Sequence, residues 1–564
     1  MHLFLGLRSL IFSVISTGLF FSCQAQKKNG DNQSLEKGLI GYWKLSGDIN
    51  DRSGNHLQTV MHGGVYMNEK GHAGKKIPAA RFDGRSSWLE IPANPNTKLG
   101  SEDFSLSAWI HTEEMLDDVV GDIISQYDPS SRRGFQLSLK FNSVCTNSAN
   151  FRQLNFGIDD NLSSKWTDYG RPGNALMAFV MVDYKGALYA GTCETGKEER
   201  GHVYRYSGGD NWIDCGFLDS SNTVNSLAVF NGELYAGTGH YRVAGSALPE
   251  SENTTPGGRI FRYAAPDKWI DCGRLPDVES INAMVVFNGK LYATSKYSPA
   301  FYRYEGGKKW VKCSVPDKRI GAMAVYNGYI YATSLDVARV YRYDGNSWTD
   351  CGRVGGENVN TQTYCFSVYE GGLYVATWPS GRVYRFEGIN QWTDIGRLGE
   401  EEEVMGMLVH NGRLIAGTLP LAEAYSYEGD TTWLRLDQLD KTPNVKFRRA
   451  WTMAEHGGKL FCSTLPSGKI FGFEAGKSVS SPNAVPSGWQ HVVAIKTADR
   501  LRLYLNGNLV NETHIPASMN FNLNSQSPIK IGFGPNDYFN GHMREIRLYN
   551  RALNNREIRE LSVK

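Results

Sequence analysis

The chain has 564 residues, 41% of them hydrophobic and 12% aromatic, with 61 glycines; that is enough apolar material for packed cores and excludes a disordered chain. Lys and Arg total 60 against 58 Asp and Glu, a formal charge of +2, which excludes a protein that coats polyanions through its overall field. Nucleic acid is therefore not an expected partner, nine cysteines are too sparse for a disulfide scaffold, and any polyanion must be held locally.

In chain order, Arg8 precedes an apolar run at 10–21 and then Ser22-Cys23, which reads as a secretory signal spanning 1–25 that is removed rather than folded. Two processing routes are open: Cys23 as the lipidated first residue of a bacterial lipoprotein, or cleavage after Ala25. Either predicts an extracytoplasmic protein of the cell envelope, or a secreted one, whose contact with a membrane is limited to a lipid anchor at Cys23.

Residues 38–150 carry GYWKL (41–45), DRSGN (51–55), RFDG (81–84) and FSLSAWI (104–110). Alternating apolar and polar residues predict antiparallel β-structure, but the piece is too short for a complete sandwich.

From 160 to 475 one unit recurs at roughly 40–57 residues, within the range of propeller blades. It opens with two strands joined by Asn-Gly or a similar pair, as in SLAVFNGELYAGT (226–238), where both turn residues need positive φ. A third strand and a Trp strand follow, making four strands per blade. The hairpin occurs seven times, and so does the Trp strand, at Trp166, Trp212, Trp269, Trp310, Trp348, Trp392 and Trp433. The two sets are out of phase by one. Trp166 precedes every hairpin, so its strand is predicted to complete the last blade and close a seven-bladed ring. The repeat resembles a divergent kelch-type propeller. Cys215, Cys272, Cys313 and Cys351 recur at one place in the Trp strands, too far apart for pairing, and read as small packing residues.

Residues 480–564 return to the earlier pattern, with GWQHV (488–492), LRLYLNG (501–507), IKIG (529–532) and EIRLYNRAL (545–553). Taken in order, the motifs of both flanks resemble the laminin-G-like, concanavalin A-like jelly roll, the first piece matching its opening and the second its ending. The fold class expected is all-β: a seven-bladed β-propeller inserted into a LamG-like β-sandwich. Some domains of this family hold calcium, and the resemblance makes Asp48, Asp51 and Asp83 the residues to supply its oxygen ligands; Arg544, where an acidic residue is usual, counts against it.

Ligands of a propeller bind where strand ends converge on the channel. Long loops after the second strand of blades one and two carry His202, His240, Tyr241 and Arg242, and Lys296-Tyr297, Leu335-Asp336 and Trp378 follow in later blades. Entry segments add Arg319, Gln362, Tyr364 and Arg449. Arginine forks take carboxylate or sulfate and aromatic faces stack on sugar rings, so this face predicts an anionic polysaccharide or oligosaccharide as partner. The sharpest reading is β-elimination from a uronic acid: Arg319 neutralises the carboxylate, and Tyr297, its pKa lowered by a guanidinium, and His240 share the roles of base and acid. His202, Tyr241, Arg242, Tyr364, Trp378 and Arg449 are the expected substrate contacts. No cofactor is required. A propeller bearing His, Tyr and Arg on its channel face is similar to the propeller-fold ulvan lyases of marine bacteria, which implies sulfated, uronate-containing algal glycans. A hydroxyl leaving from C4 would instead make a dehydratase of oligosaccharide ends. Two other readings stay open: a non-catalytic glycan-binding protein, and a glycoside hydrolase drawing on Glu194, Glu198, Glu199, Glu250 or Asp336. The acidic run at 400–403 reads as a solvated turn.

Overall fold

A computed structural model describes residues 35–67, 78–115, 118, 121–140, 152–316 and 318–563. The signal segment and Cys23 lie outside the described residues.

Strands from both flanks share two sheets. In the first, Phe104–Thr112 lies between Gly488–Lys496 and Asn540–Tyr549, so a strand from before the repeats is hydrogen-bonded on either side to strands from after them. In the second, Ile529–Ile531 is inserted between Trp88–Ile91 and Gly121–Asp128. Neither flank can complete its ladders alone. Between the sheets lies one apolar core that mixes both segments, including Trp43, Phe82, Phe104, Phe135, Phe156, Val492, Leu503, Phe521 and Leu548. The propeller leaves the sandwich after Gln153–Ser163 and returns at Ala475–Ala484, and these two strands pair antiparallel. The entry and exit of the insertion are therefore clasped side by side, which lets a sandwich carry a large insertion without distortion.

Five four-stranded sheets and one eight-stranded sheet make up the insertion; the larger comprises two four-stranded units, 177–217 and 223–274, joined by a single bridge between Cys193 and Thr223. Counted by unit, the described residues form seven blades: 177–217, 223–274, 281–312, 320–353, 362–397, 403–438 and 449–473. The seventh has three strands of its own, and Thr167–Asp168 adds the fourth, pairing with Ile470–Phe473. Trp166 stacks on Phe473 at 5.0 Å, and the Trp451 indole donates to the Phe179 carbonyl, 3.1 Å, joining blade seven to blade one. All seven hairpin turns have positive φ at both central residues, from Lys185-Gly186 to Gly457-Gly458.

The repeated Trp has a defined task. Trp212, Trp269, Trp310, Trp348, Trp392 and Trp433 each donate the indole N–H to a carbonyl of the preceding blade, at 2.8–3.1 Å. Each such bond contributes about 1 kcal/mol net, so the series ties neighbouring blades along their outer edge. The recurring cysteines are unpaired, and Cys215, Cys272 and Cys351 are buried, as packing residues should be.

The sandwich docks on the hairpin-turn side of the propeller. Asn411, in the turn of blade six, donates to the carbonyls of Ile158 and Ala475, 2.9 and 2.6 Å. Next to it Arg413 pairs with the buried Asp159, and Lys140 pairs with Glu455, which also accepts from His410 at 2.7 Å. Burial would raise the Glu455 carboxyl, but the Lys140 ammonium and the hydrogen bond from His410 overcome it and hold the group down at about 2. The opposite side of the ring is left uncovered by these contacts.

Candidate functional site

On that opposite side, where first strands begin and second strands end, six blades contribute to a cavity of about 640 Å³. Blade two supplies Tyr241, Arg242 and Glu250, blade three Lys296 and Tyr297, blade four Arg319 and Leu335. Gln362, Tyr364 and Trp378 come from blade five, Glu403 and Leu419 from blade six, and Phe447, Arg449 and Trp451 from blade seven.

Its walls are aromatic and its polar groups mostly cationic. Tyr241 packs edge-on against Phe179 and Trp451 at 5.2 and 6.2 Å, and its hydroxyl shares a 2.6 Å hydrogen bond with Ser246 Oγ. Arg449 donates to the same Ser246 oxygen and lies 5.4 Å from the Trp451 ring. The Lys296 ammonium sits 5.2 Å from Phe179 and 5.4 Å from Tyr241. Burial, reinforced by Arg449 and Arg319, pulls the Lys296 pKa down to about 8. Beside it Glu403, only 6% exposed, is pushed up to about 7 by burial against the opposing pull of Arg449 and Lys296. Two groups of opposite kind thus change charge close to neutrality within one concavity, an arrangement characteristic of acid–base sites.

Seven of the residues expected from sequence converge here: Tyr241, Arg242, Tyr297, Arg319, Tyr364, Trp378 and Arg449. The structure departs from expectation in three respects. Tyr297 does not have a lowered pKa. Its guanidinium neighbour, Arg242, stacks on the ring at 4.3 Å, but burial is the larger effect and drives the phenol upward; its oxygen accepts the Arg242 backbone N–H at 2.9 Å. Arg319 is held by Asp336, which accepts its Nε at 2.7 Å and its backbone N–H at 2.6 Å. The acidic run at 400–403 is a solvated turn only at its start: Glu400 is exposed in a turn, but Glu401 and Glu403 are buried, and Glu403 begins the first strand of blade six.

The two histidines do not line the cavity. His202 opens the third strand of blade one and binds Asp214 through Nδ1 at 2.9 Å. Arg259, Arg339 and Arg382 take the equivalent place in later blades and pair with Asp271, Asp350 and Asp394, so His202 fills a structural position of the repeat. His240 donates its backbone N–H to the Glu279 carbonyl, 3.1 Å, at the head of blade three.

Glu250 lines the cavity, yet its carboxylate is engaged by its own loop. It accepts from Val243 at 2.8 Å, Ala244 at 3.3 Å and Ser251 at 2.8 Å, bonds that outweigh burial and hold its pKa low. The aspartates considered for calcium are likewise occupied. Asp51 accepts from Tyr42, Ser53 and Leu57, Asp83 from Arg85, Ser86 and Ser87, and Asp48 pairs with Arg52 at 2.5 Å. They are not gathered into one ligand set among the described residues.

Residues 420–559 match the family model of the concanavalin A-like lectin/glucanase superfamily (Laminin_G_3). That stretch takes in the last two strands of blade six, the three strands of blade seven at 449–473 and the closing half of the sandwich. The opening half of the sandwich falls outside it, as expected when one contiguous model meets a domain interrupted by an insertion.

No curated protein matches the chain. Similar solved structures include YCF48 bound to a D1 peptide, with 12% identity, TM-score 0.41, and coverage of 55% of this chain and 97% of that one. The extracellular domain of BT4673 from B. thetaiotaomicron gives 12% identity and TM-score 0.41 over 62% of this chain and 47% of the other. BamB from Moraxella catarrhalis gives 6% and 0.34 over 65% and 96%. Among the described residues no helix is long and apolar enough to cross a membrane.

Proposed function

We propose that this protein binds a uronate-bearing, anionic glycan in the channel-face cavity and cleaves it by β-elimination outside the cytoplasm. One observation carries the reading: Glu403 and Lys296, with pKa values of about 7 and about 8, share an aromatic-walled cavity with Arg319 and Arg449. The arginines suit the substrate carboxylate, whose neutralisation acidifies the C5 proton, and the half-buried Trp378 offers a sugar-stacking face. Glu403 in its ionised form takes the C5 proton, the C4–C5 double bond forms as the C4–O bond breaks, and protonated Lys296 supplies the proton to the departing oxygen. These roles replace those first given to His240, which does not line the cavity, and to Tyr297, whose phenol is held neutral.

Sulfated algal glycans of the ulvan type are the preferred substrate class. The stacked Arg242 and Tyr297 separate this cavity from a second of about 640 Å³ that adds Arg274, Asp277 and Glu279, room for further sugar units. If C4 carries a free hydroxyl, the same groups make the protein an oligosaccharide dehydratase.

The test is ultraviolet absorbance of an unsaturated uronate, followed during incubation with a panel of uronate polysaccharides and oligosaccharides. Product from at least one of them is expected; no absorbance from any sinks the elimination reading. A second reading, glycan binding without chemistry, draws on Arg319 being tied to Asp336 and Tyr297 to Arg242; it predicts binding with no product. Hydrolysis ranks below both, because Glu250, the partner carboxylate it would need beside Glu403, is engaged by three backbone donors.

A further inference from the structure

Away from the cavity, the described residues contain one group of three side chains whose donor atoms converge as metal ligands do: His111, Glu113 and His542. His111 lies near the end of Phe104–Thr112, and His542 is its directly opposed partner on Asn540–Tyr549. Opposed residues of antiparallel strands project to one face, and Glu113, the residue just past the end of the first strand, brings its carboxylate to the same place. The two imidazole rings meet edge to face with centres 5.5 Å apart. His111 Nδ1 is 3.8 Å from Glu113 Oε1, and the three donor atoms all lie within 4.8 Å of one another.

Phe104–Thr112 is hydrogen-bonded along both edges, so the histidines stand on rigid backbone. Glu113 follows the strand, its side chain 64% exposed, and can swing onto an ion. Arg544 is held 5.1 and 5.0 Å from the Trp109 and Trp489 rings on the same sheet.

We infer that His111, Glu113 and His542 bind a divalent transition-metal ion of the zinc class. Two imidazoles with one carboxylate suit zinc, cobalt, nickel or copper, whereas calcium and magnesium take oxygen ligands. Zinc binds such donors at about 2.0–2.2 Å, so ligand atoms around a tetrahedral ion stand about 3.4 Å apart. Side-chain rotations on the order of 1 Å close the present arrangement to that spacing. Positions not taken by protein are open to water. His111 precedes the propeller in sequence and His542 follows it, so the ion cross-links the two halves of the interrupted sandwich.

The full chain, stripped with chelator and desalted, is titrated calorimetrically with Zn²⁺, and its melting temperature is followed with Zn²⁺, Ca²⁺ and Mg²⁺ in turn. One Zn²⁺ per chain is expected, with a melting temperature raised by Zn²⁺ and unmoved by Ca²⁺ or Mg²⁺. Zn²⁺ affinity should fall at least about tenfold in Glu113→Gln and further in His542→Ala. Glu113 is exposed, so its variant keeps the fold even if removal of His542 disturbs it, and melting in chelator checks this. No zinc binding by the parent chain, or binding that Glu113→Gln leaves unchanged, overturns the assignment.

Discussion

The guanidinium of Arg413 donates two hydrogen bonds, 2.9 and 2.6 Å long, to a single carboxylate oxygen of Asp159. One residue belongs to blade six and the other to the sandwich strand that leads into the propeller, and both are almost wholly buried. Removing one partner of such a pair strands the other charge, so Arg413→Ala should cost about 3–5 kcal/mol in denaturant unfolding. Replacing both by apolar residues should cost markedly less. Burial, against the pull of Arg413, holds Asp159 at about 6, above its ordinary 3.8. Its contribution to stability is therefore full below about pH 4 and declines as pH rises through about 6.

Elimination should follow a bell-shaped pH profile. Activity requires Glu403 ionised, giving an acid limb at about 7, and Lys296 protonated, giving an alkaline limb at about 8, so kcat/KM should peak between them. Glu403→Gln should abolish the acid limb and lower the rate about 10²-fold or more; Lys296→Met should remove the alkaline limb. A profile with neither limb near these values would remove both residues from the chemistry.

Glu403 also makes a prediction about the apo protein. Its native pKa of about 7 lies above the ordinary 4.5, so the native state retains a proton that the unfolded chain has lost. Its contribution to stability is complete below about pH 4.5 and declines as pH rises through about 7. Melting curves of Glu403→Gln should lack that part of the pH slope, whatever the glycan.

The aromatic walls separate binding from folding. Trp378 stands at the rim of the cavity, and Trp378→Ala should weaken glycan binding by about 0.5–1.5 kcal/mol, measured calorimetrically, with little change in melting temperature. Trp451 is 2% exposed and bonds to Phe179 across the ring seam, so Trp451→Ala should cost about 3–5 kcal/mol in stability. His202→Ala should leave binding as it was, because its ring serves Asp214; weakened binding would place it in the site after all.

Much of the architecture was legible in the residues because it rests on local chemistry. Asn231-Gly232 or Asn327-Gly328 can sit at positive φ wherever it occurs, and seven turns out of phase with seven Trp strands leave Thr167–Asp168 a single place to pair. Strand order also announces which loops reach the channel, which is why Tyr241, Tyr297, Arg319, Tyr364 and Arg449 could be chosen in advance. The misplaced residues mark where local reading ends. His202 looked like a loop histidine but occupies the repeat's Arg position, a pattern visible only once Arg259, Arg339 and Arg382 are aligned with it.

The composition and periodicity of this chain determine an all-β protein with an interrupted sandwich and a closed ring, since hairpin turns and alternating strands need no distant partner to declare themselves. The state of each functional group was decided by the tertiary structure. Whether Glu403 is a solvated surface carboxylate or one that titrates at about 7, and whether Tyr297 lies beside Arg242 as an acidified phenol or a neutral one, depends on how many blades close over it. Desolvation and the field of distant charges are properties of the assembled ring, and a local sequence window contains neither.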